Sequence, residues 1–486
     1  MRAVTFDSTA QLLSLYFAAA LIVGCTAEEP APPTTISLAV VNTTIWTGDR
    51  MRPIVDAIGV SGSQIAALGT SASIRALATD GLVLDAAGGL IVPGFIDAHI
   101  HLIDAGYNLL RDPNSDGQLE NSVLTLSTAP PQPRTQAEDD AALDAALEFL
   151  TTHGVTSVHN MGSWTDLETL ERAVTDDRLT TRVYSVLPLA TWQRLRDDIV
   201  RGRFGGLDGR GSAWLRVGAV KGLVDGTLAT ETAALDTPYP GSANDRGLLL
   251  YDNERLFREV ADADAANLQV TLHAVGERAN ALALDAYERV ARANGPRDRR
   301  FRIEHAQHLR PDDVPRFGNL NVIASIQPTE IMYTGRRVDT IFGVNRTTQT
   351  FPIRSLLETR ARVAFGTDWA FAPPGPLEGL FAAVSREQID GSRPRGRNPT
   401  ERITVAQALE AYTATAAYAS FDENTKGRLA VGHLADFVLL DTNLLSVPSR
   451  RTRAASVLLT VINGQIVFDG RTPSVRAKSS SKEKLL

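Results

Sequence analysis

The sequence predicts an α/β protein in which a (β/α)8 TIM-like barrel carries a small composite β-sandwich domain built from both chain ends. Between residues 93 and 424, eight short apolar runs alternate with longer Ala-, Leu- and Arg-rich segments, which is the pattern of repeated βα units. Residues 36–92 and 425–475 instead hold short alternating strands separated by Gly-containing turns. The length of 486 residues allows a barrel of about 250 residues together with a smaller domain.

The N-terminal segment predicts export and a lipid anchor. Residues 11–24 form an uncharged apolar run that is short for a membrane span of about 20 residues but typical of a signal-peptide core. The run ends at Cys25, and the four residues IVGC resemble the bacterial lipobox. We therefore expect a lipoprotein signal peptide over 1–24, a disordered Pro-rich tether over 25–35, and a protein of the bacterial cell envelope held at a membrane by a lipid on Cys25. The alternative is a buried structural cysteine at the end of a core helix.

Each of the eight apolar runs is predicted to form one barrel strand. The runs begin at Gly94, Val155, Thr181, Leu215, Gln269, Phe301, Val322 and Arg362. Segments between them, such as AALDAALEFLTTHG and ALALDAYERVARANG, have helical character. The gaps after the first and fourth strands are longer than one helix needs, so we expect loops there that cover the mouth of the barrel. Residues 476–486 are predicted to be a disordered tail.

Composition excludes several classes of protein and site. With 49 Lys+Arg against 56 Asp+Glu, the net charge is −7, so the chain has no surplus of cations with which to bind nucleic acid as its main partner. A single cysteine rules out an intrachain disulfide and any zinc site built on several thiolates.

Six residues at predicted strand ends form a candidate metal site. His99 and His101 are two apart on the first strand, so both imidazoles point to the same side and can share one ion. Strands four, five, six and eight end with the remaining members, Lys221, His273, His305 and Asp368. All six would meet at the C-terminal mouth of a barrel, where catalytic residues of this fold lie. An isolated histidine is more often a packed core residue, but this combination favours one or two divalent ions, with zinc well suited to nitrogen and oxygen donors.

Two members of this set have distinct expected roles. An ammonium repels a metal ion, so Lys221 makes sense as a ligand if CO₂ carboxylates it to a carbamate that can bridge two metals. As an ordinary lysine it would instead pair with a nearby carboxylate. Asp368 can take a proton from the nucleophile and pass it to a leaving nitrogen, which makes it the candidate general acid/base.

The remaining histidines lie outside this set of six. His153 and His308 are expected to be structural, and His433 lies in the C-terminal β segment, far from the proposed site. His159 ends the second strand and could face substrate or pack in the core. The candidate substrate-binding residues are His159, Asp225, Gln327 and Trp369.

Together these residues resemble the YtcJ-like branch of the amidohydrolase superfamily, which includes N-substituted formamide deformylase. The shared motifs are VPGFIDAHIHL, VKGLVDGTLATETAAL, HAVGERAN, RIEHAQ, SIQP, GTDWAF and GRLAVGHLADFVLLD, in family order from about residue 36 to 470. The resemblance implies metal binding by His99, His101, Lys221, His273 and His305 and proton transfer by Asp368. Two positions depart from the family pattern: Glu277 stands where Asp is frequent, and Glu330 stands where a histidine commonly follows SxQPT.

The expected function is hydrolysis of a non-peptide C–N bond in a small-molecule amide substrate. A metal-dependent peptidase or a cyclic-amide hydrolase would use the same site, and a catalytically inactive, lipid-anchored binding protein is the alternative from another class. A homo-oligomer is compatible with the sequence.

Overall fold

The computed structural model describes residues 35–112, 134–343, 350–372 and 374–471. The predicted signal peptide, Cys25, the predicted tether up to residue 34 and the predicted tail therefore lie outside the described residues. Within the described ranges, none of the helices combines the length and apolar character needed to cross a membrane.

The N-terminal part of the small domain consists of short strands and one helix. They are β1 Leu38–Val41, β2 Thr44–Trp46, β3 Ile54–Val55, β4 Ala57–Ser61, β5 Gln64–Gly69, α1 Ser71–Leu77, β6 Leu82–Asp85 and β7 Leu90–Pro93. Four of these strands form one sheet in the order β5-β4-β1-β6. Helix α1 begins where the Thr70 side chain accepts a hydrogen bond from the backbone N–H of Ser73.

Eight parallel strands form the barrel. They are β8 Phe95–Ile100, β9 Val155–Met161, β10 Arg182–Pro188, β11 Leu215–Leu223, β12 Gln269–Ala274, β13 Arg302–His305, β14 Ile323–Ile326 and β15 Arg362–Phe365. Strands that follow each other in the chain are neighbours in the sheet, and each corresponds to one predicted run. The barrel closes beyond β15, because the N–H of Asp368 donates to the carbonyl of His99 at 2.8 Å and Trp369 forms a parallel bridge with Ile100. The predicted barrel is confirmed.

Helices lie between and after the barrel strands along the chain. They are α2 Leu102–Arg111, α3 Gln136–Thr152, α4 Trp164–Thr175, α5 Trp192–Val200, α6 Asn253–Ala265, α7 Glu277–Ala293, α8 Val314–Asn319, α9 Glu330–Tyr333, α10 Gly335–Phe342, α11 Ile353–Glu358, α12 Pro376–Ser385, α13 Val405–Ala411 and α14 Ala414–Ala419. Reciprocal side-chain caps begin α3 at Thr135 and α4 at Ser163. Residues 224–252 contain neither helix nor strand and form the long loop expected after the fourth barrel strand.

The C-terminal strands complete the small domain. Strands β16 Phe437–Leu440, β17 Val457–Ile462 and β18 Gln465–Asp469 join N-terminal strands in a second sheet of order β18-β17-β16-β7-β2-β3. Val40 and Ile58 of the first sheet pack with Ile91, Phe437 and Val461 of the second in one hydrophobic cluster. The predicted composite β-sandwich from both chain ends is therefore present.

A buried ion pair joins the barrel to the small domain. Arg182, at the start of β10, donates from Nε to Asp436 Oδ2 at 2.7 Å and from Nη2 to Oδ1 at 3.0 Å. The two side chains are 1% and 4% exposed, so this bidentate contact is almost free of solvent screening. It lies at the end of the barrel opposite the mouth, because Arg182 begins its strand.

Candidate metal centre

Two histidines and one aspartate meet where β8 ends. His99 lies within β8 and is fully buried, while His101 is the residue before α2. The Nε2 atoms of both imidazoles lie 3.4 Å from Asp368 Oδ1. Burial raises the pKa of the Asp368 carboxyl, but the imidazoles of His99, His101 and His305 outweigh burial and hold that pKa well below its usual range. Asp368 is therefore a carboxylate that faces two imidazole nitrogens.

A buried carboxylate fixes the tautomer of His99. Glu304 Oε2 lies 2.7 Å from His99 Nδ1, and burial together with the charge of Lys221 lowers the pKa of His99 to about 3. The neutral ring therefore donates from Nδ1, and its Nε2 lone pair faces Asp368. A carboxylate that orients a histidine in this way is a recurrent feature around metal ligands.

Glu304 is itself held by two donors inside the barrel. Arg302 Nη2 donates to Glu304 Oε2 at 3.1 Å, and the Thr271 hydroxyl donates to Glu304 Oε1. Burial raises the pKa of Glu304, but Arg302 and His99 more than offset burial and keep that pKa well below its usual range. The chain from Arg302 through Glu304 to His99 is thus a continuous, charge-assisted contact.

Lys221 reaches the same centre from β11. Its Nζ lies 3.0 Å from His99 Nε2, and burial lowers the pKa of the ammonium. The structure thus places the predicted lysine among the predicted histidines.

His273 and His305 complete the set at the ends of β12 and β13. Their ring centroids are 4.4 Å apart, and the His305 ring is 5.0 Å from that of His99. His273 Nε2 lies 3.1 Å from the carbonyl oxygen of Gly226, so this nitrogen donates and Nδ1 is the one left for a metal. His305 Nδ1 is buried without a hydrogen-bond partner among the described residues, and Glu330 Oε1 lies 3.7 Å from it.

The donor atoms fall into two groups that share one carboxylate. His99, His101 and Asp368 form the first group, and His305, Glu330 and Asp368 form the second; within each group the ligand atoms lie within 4.8 Å of one another. Two ligands of a tetrahedral zinc ion, each about 2.1 Å from it, lie roughly 3.4 Å apart. The 3.4 Å and 3.7 Å contacts match that spacing. The residues therefore fit a divalent ion.

Glu330 is the member that sequence reasoning did not assign to the site. In the sequence it is only a departure from the family pattern, but the structure brings its carboxylate beside His305. The available signal was its position shortly after the seventh barrel strand, where side chains reach the mouth. The other departure, Glu277, lies at the start of α7, and its Oε2 accepts from the backbone N–H of Asp236 at 3.4 Å.

Two of the candidate substrate-binding residues are buried within the polar interior. His159 is fully buried, and its Nδ1 lies 2.8 Å from Arg302 Nη1, while its Nε2 has no hydrogen-bond partner in the described ranges. Gln327 is also fully buried, and its Nε2 donates to the carbonyl of Ser325 at 3.3 Å. Whether either contacts substrate stays a prediction.

The other two candidates have evident packing roles. Both carboxylate oxygens of Asp225 accept backbone N–H groups, from Ala234, Val275 and Gly276, which ties the loop after β11 to the end of β12. Trp369 is fully buried, and its ring stacks on that of Phe149 at a centroid distance of 5.0 Å. A direct substrate contact by Asp225 or Trp369 also stays a prediction.

The chain matches the profile of the amidohydrolase family over residues 82–130 and 117–468. It is 30% identical to Protein LONG AFTER FAR-RED 3 of Arabidopsis thaliana, with 91% of this chain and 94% of that protein covered. It is 26% identical to YtcJ of Bacillus subtilis (strain 168), with 74% of this chain and 68% of that protein covered. N-substituted formamide deformylase of Arthrobacter pascens is 27% identical over 52% of this chain and 46% of its own length.

Solved structures share the fold. A metal-dependent hydrolase from Pyrococcus horikoshii OT3 superposes with a TM-score of 0.71 at 23% identity, covering 85% of this chain and 99% of that one. Atrazine chlorohydrolase TrzN from Arthrobacter aurescens TC1, complexed with zinc, gives a TM-score of 0.59 at 18% identity, covering 90% of this chain and 96% of that one. With the motifs and the site in place, the chain belongs to the amidohydrolase family, in its YtcJ-like branch.

Proposed function

We propose that this amidohydrolase cleaves a non-peptide C–N bond of a small-molecule amide, with Asp368 as the general acid/base. The observation that carries the proposal is the position of the Asp368 carboxylate, which lies 3.4 Å from two imidazole nitrogens and belongs to both donor groups. Its backbone N–H donates to the carbonyl of His99, which anchors the residue at the barrel closure.

The proposed metal ligands are the six predicted residues, His99, His101, Lys221, His273, His305 and Asp368. Nitrogen and oxygen donors of this kind suit zinc, and one similar structure, TrzN, is complexed with it. Bound there, one or two divalent ions would supply Lewis-acid polarisation of the substrate carbonyl and a lowered pKa for water. Carboxylation of Lys221 is part of the proposal, because a cationic ammonium 3.0 Å from the His99 lone pair would compete with a metal ion for it.

The chain's own groups account for the proton transfer. The Asp368 carboxylate takes a proton from the attacking water and delivers it to the nitrogen as the C–N bond breaks and a C–O bond forms. The products are a carboxylic acid and an amine. Glu304 and Arg302 keep His99 in the tautomer whose lone pair faces the reaction, so the imidazole needs no rearrangement during turnover.

The similarity to N-substituted formamide deformylase favours N-formyl and other N-acyl amines as the substrate class. The test is turnover by the purified, zinc-loaded chain of a panel of N-formyl amines, N-acyl amines, dipeptides and cyclic amides. Turnover of dipeptides or cyclic amides alone would instead identify a peptidase or a cyclic-amide hydrolase. Failure to turn over any member would leave the binding protein as the better description.

The role of Asp368 is tested by Asp368→Asn, which keeps the shape of the side chain but cannot accept a proton. With zinc in excess to keep the sites filled, we expect kcat to fall by about 10² to 10⁴, the usual size of a lost general acid/base. Asp285→Asn, an exposed aspartate that pairs with Arg316 away from the mouth, is the matched control and should retain wild-type kcat. Near-wild-type kcat in Asp368→Asn would refute the assigned role.

A further inference from the structure

Glu330 stands at the mouth of the barrel with its carboxylate directed at the metal centre. It is the first residue of α9, directly after the segment that leaves β14. Its side chain is 20% exposed, and Oε1 lies 3.7 Å from Nδ1 of His305. It therefore faces the candidate ligands rather than open solvent.

The nitrogen that Glu330 faces is Nδ1 of His305. His305 is 6% exposed at its side chain, and its Nδ1 has no hydrogen-bond partner among the described residues. A buried polar atom without a partner costs free energy, so such atoms in folded proteins usually have one that is a protein group, a water or an ion. The separation of 3.7 Å exceeds that of an ordinary hydrogen bond and is close to the roughly 3.4 Å expected between two ligands of one zinc ion.

We propose that Glu330 is a protein ligand of a second divalent ion, which it holds together with His305 and with the shared carboxylate of Asp368. The three ligand atoms lie within 4.8 Å of one another, as do those of the group formed by His99, His101 and Asp368. The inference rests on the proposed metal centre and extends it, since it gives the second ion an anionic ligand from the helix that follows the seventh barrel strand.

A different role for the same carboxylate is recognition of a cationic group on the substrate. The structure favours the metal, because Glu330 lies beside an imidazole nitrogen and shares its donor group with a second carboxylate. The two roles separate experimentally, since a residue that binds only substrate leaves the metal content unchanged when it is replaced.

The experiment compares the zinc content of the full chain and of Glu330→Gln after equilibration with a zinc buffer, together with competition by a chelator. We expect two ions per chain in the wild type and about one in Glu330→Gln. Loss of a residue that only hydrogen-bonds to a metal ligand lowers metal affinity by about 10- to 100-fold. The loss of a ligand in Glu330→Gln should lower the affinity for the second ion by more than that. Glu231→Gln is the control, because Glu231 pairs with Arg337 of α10 in a mouth loop and belongs to neither donor group. The Glu231→Gln variant should bind two ions, as the wild type does.

A second variant covers the case in which Glu330→Gln does not fold. Glu330→His restores a metal-binding side chain, so it should keep two ions while the absorption spectrum of the cobalt-substituted protein changes. Two ions in Glu330→Gln with wild-type affinity, with or without a higher KM for cationic substrates, would overturn the assignment. So would a wild-type chain that binds one ion or none, and an unchanged cobalt spectrum in Glu330→His. A wild-type chain that binds two ions but turns over no amide would refute the proposed reaction. In that case, loss of one ion in Glu330→Gln would still support the assignment of Glu330 as a metal ligand.

Discussion

Replacing Glu304 by Gln removes one charge from the barrel interior while keeping the shape of the side chain. All three partners of this carboxylate act as donors: Arg302 Nη2 at 3.1 Å, the Thr271 hydroxyl, and His99 Nδ1 at 2.7 Å. A carboxylate accepts from all of them, whereas an amide offers one accepting oxygen and an NH₂ group that must itself donate. Arg302 Nη2 lies 3.1 Å from Glu304 Oε2 and Arg302 Nε lies 2.9 Å from Oε1, so the NH₂ group of Glu304→Gln faces an arginine donor in either orientation. Where it also faces Nδ1 of His99, the imidazole is driven to the other tautomer.

Two effects follow, with different magnitudes. Arg302 and Glu304 are fully buried, and breaking a buried ion pair costs about 3–5 kcal/mol of unfolding free energy. The remaining bonds of Arg302, to the Ala98 carbonyl at 2.6 Å and Ser325 Oγ at 3.2 Å, place the expected loss near the lower end of that range. A tautomer change would move the proton of His99 to Nε2 and cost about 10- to 100-fold in metal affinity, the usual effect of losing a partner of a metal-binding histidine.

The assay combines urea unfolding with chelator competition for zinc. Asp436→Asn is the matched control, because it breaks a buried arginine–carboxylate pair of similar burial that lies at the other end of the barrel. Both variants should lose about 3–5 kcal/mol of stability, but only Glu304→Gln should lose metal affinity. Equal metal affinity in the two variants would refute the role of Glu304 in orienting His99.

Three further predictions concern the lysine, the interior histidine and the anchor. Lys221→Ala should lose bound metal and activity, and added short-chain carboxylates should restore part of the activity; full metal content and turnover without them would contradict a carboxylated lysine. Burial, reinforced by the charge of Arg302, holds the pKa of His159 well below 6.5. The His159 imidazole therefore stays neutral in the folded protein at a pH where it takes up a proton in the unfolded chain. The unfolding free energy should therefore fall as the pH drops below about 6.5, and His159→Gln should show a shallower fall between pH 7.5 and 5.5 in urea titrations, whereas identical slopes would contradict this. Cys25→Ser should be released from the membrane fraction, and a wild-type chain that fractionates as soluble with residues 1–24 attached would refute the predicted lipid anchor.

The sequence alone was sufficient for the barrel and for most of the candidate site. Strand formation depends on local apolar runs and turn residues, so all eight barrel strands could be predicted from the chain. Parallel strands end at the same edge, which is why residues as distant in sequence as His99 and Asp368 could be expected to meet. The alternation of side chains along a strand likewise predicted that His99 and His101 share one side.

Only the tertiary structure decided which side chains contact those ligands. Glu304 orients His99 from 205 positions away, and Arg182 reaches Asp436 across 254 positions. Glu330 follows the seventh barrel strand, and the sequence shows it only as a departure from the family pattern. In the structure it lies beside His305. Such contacts depend on the register and tilt of strands around the closed barrel, which local sequence patterns do not encode. The sequence therefore determined the fold and the residue types of the candidate metal site, and the folded barrel determined their orientation, protonation and neighbours.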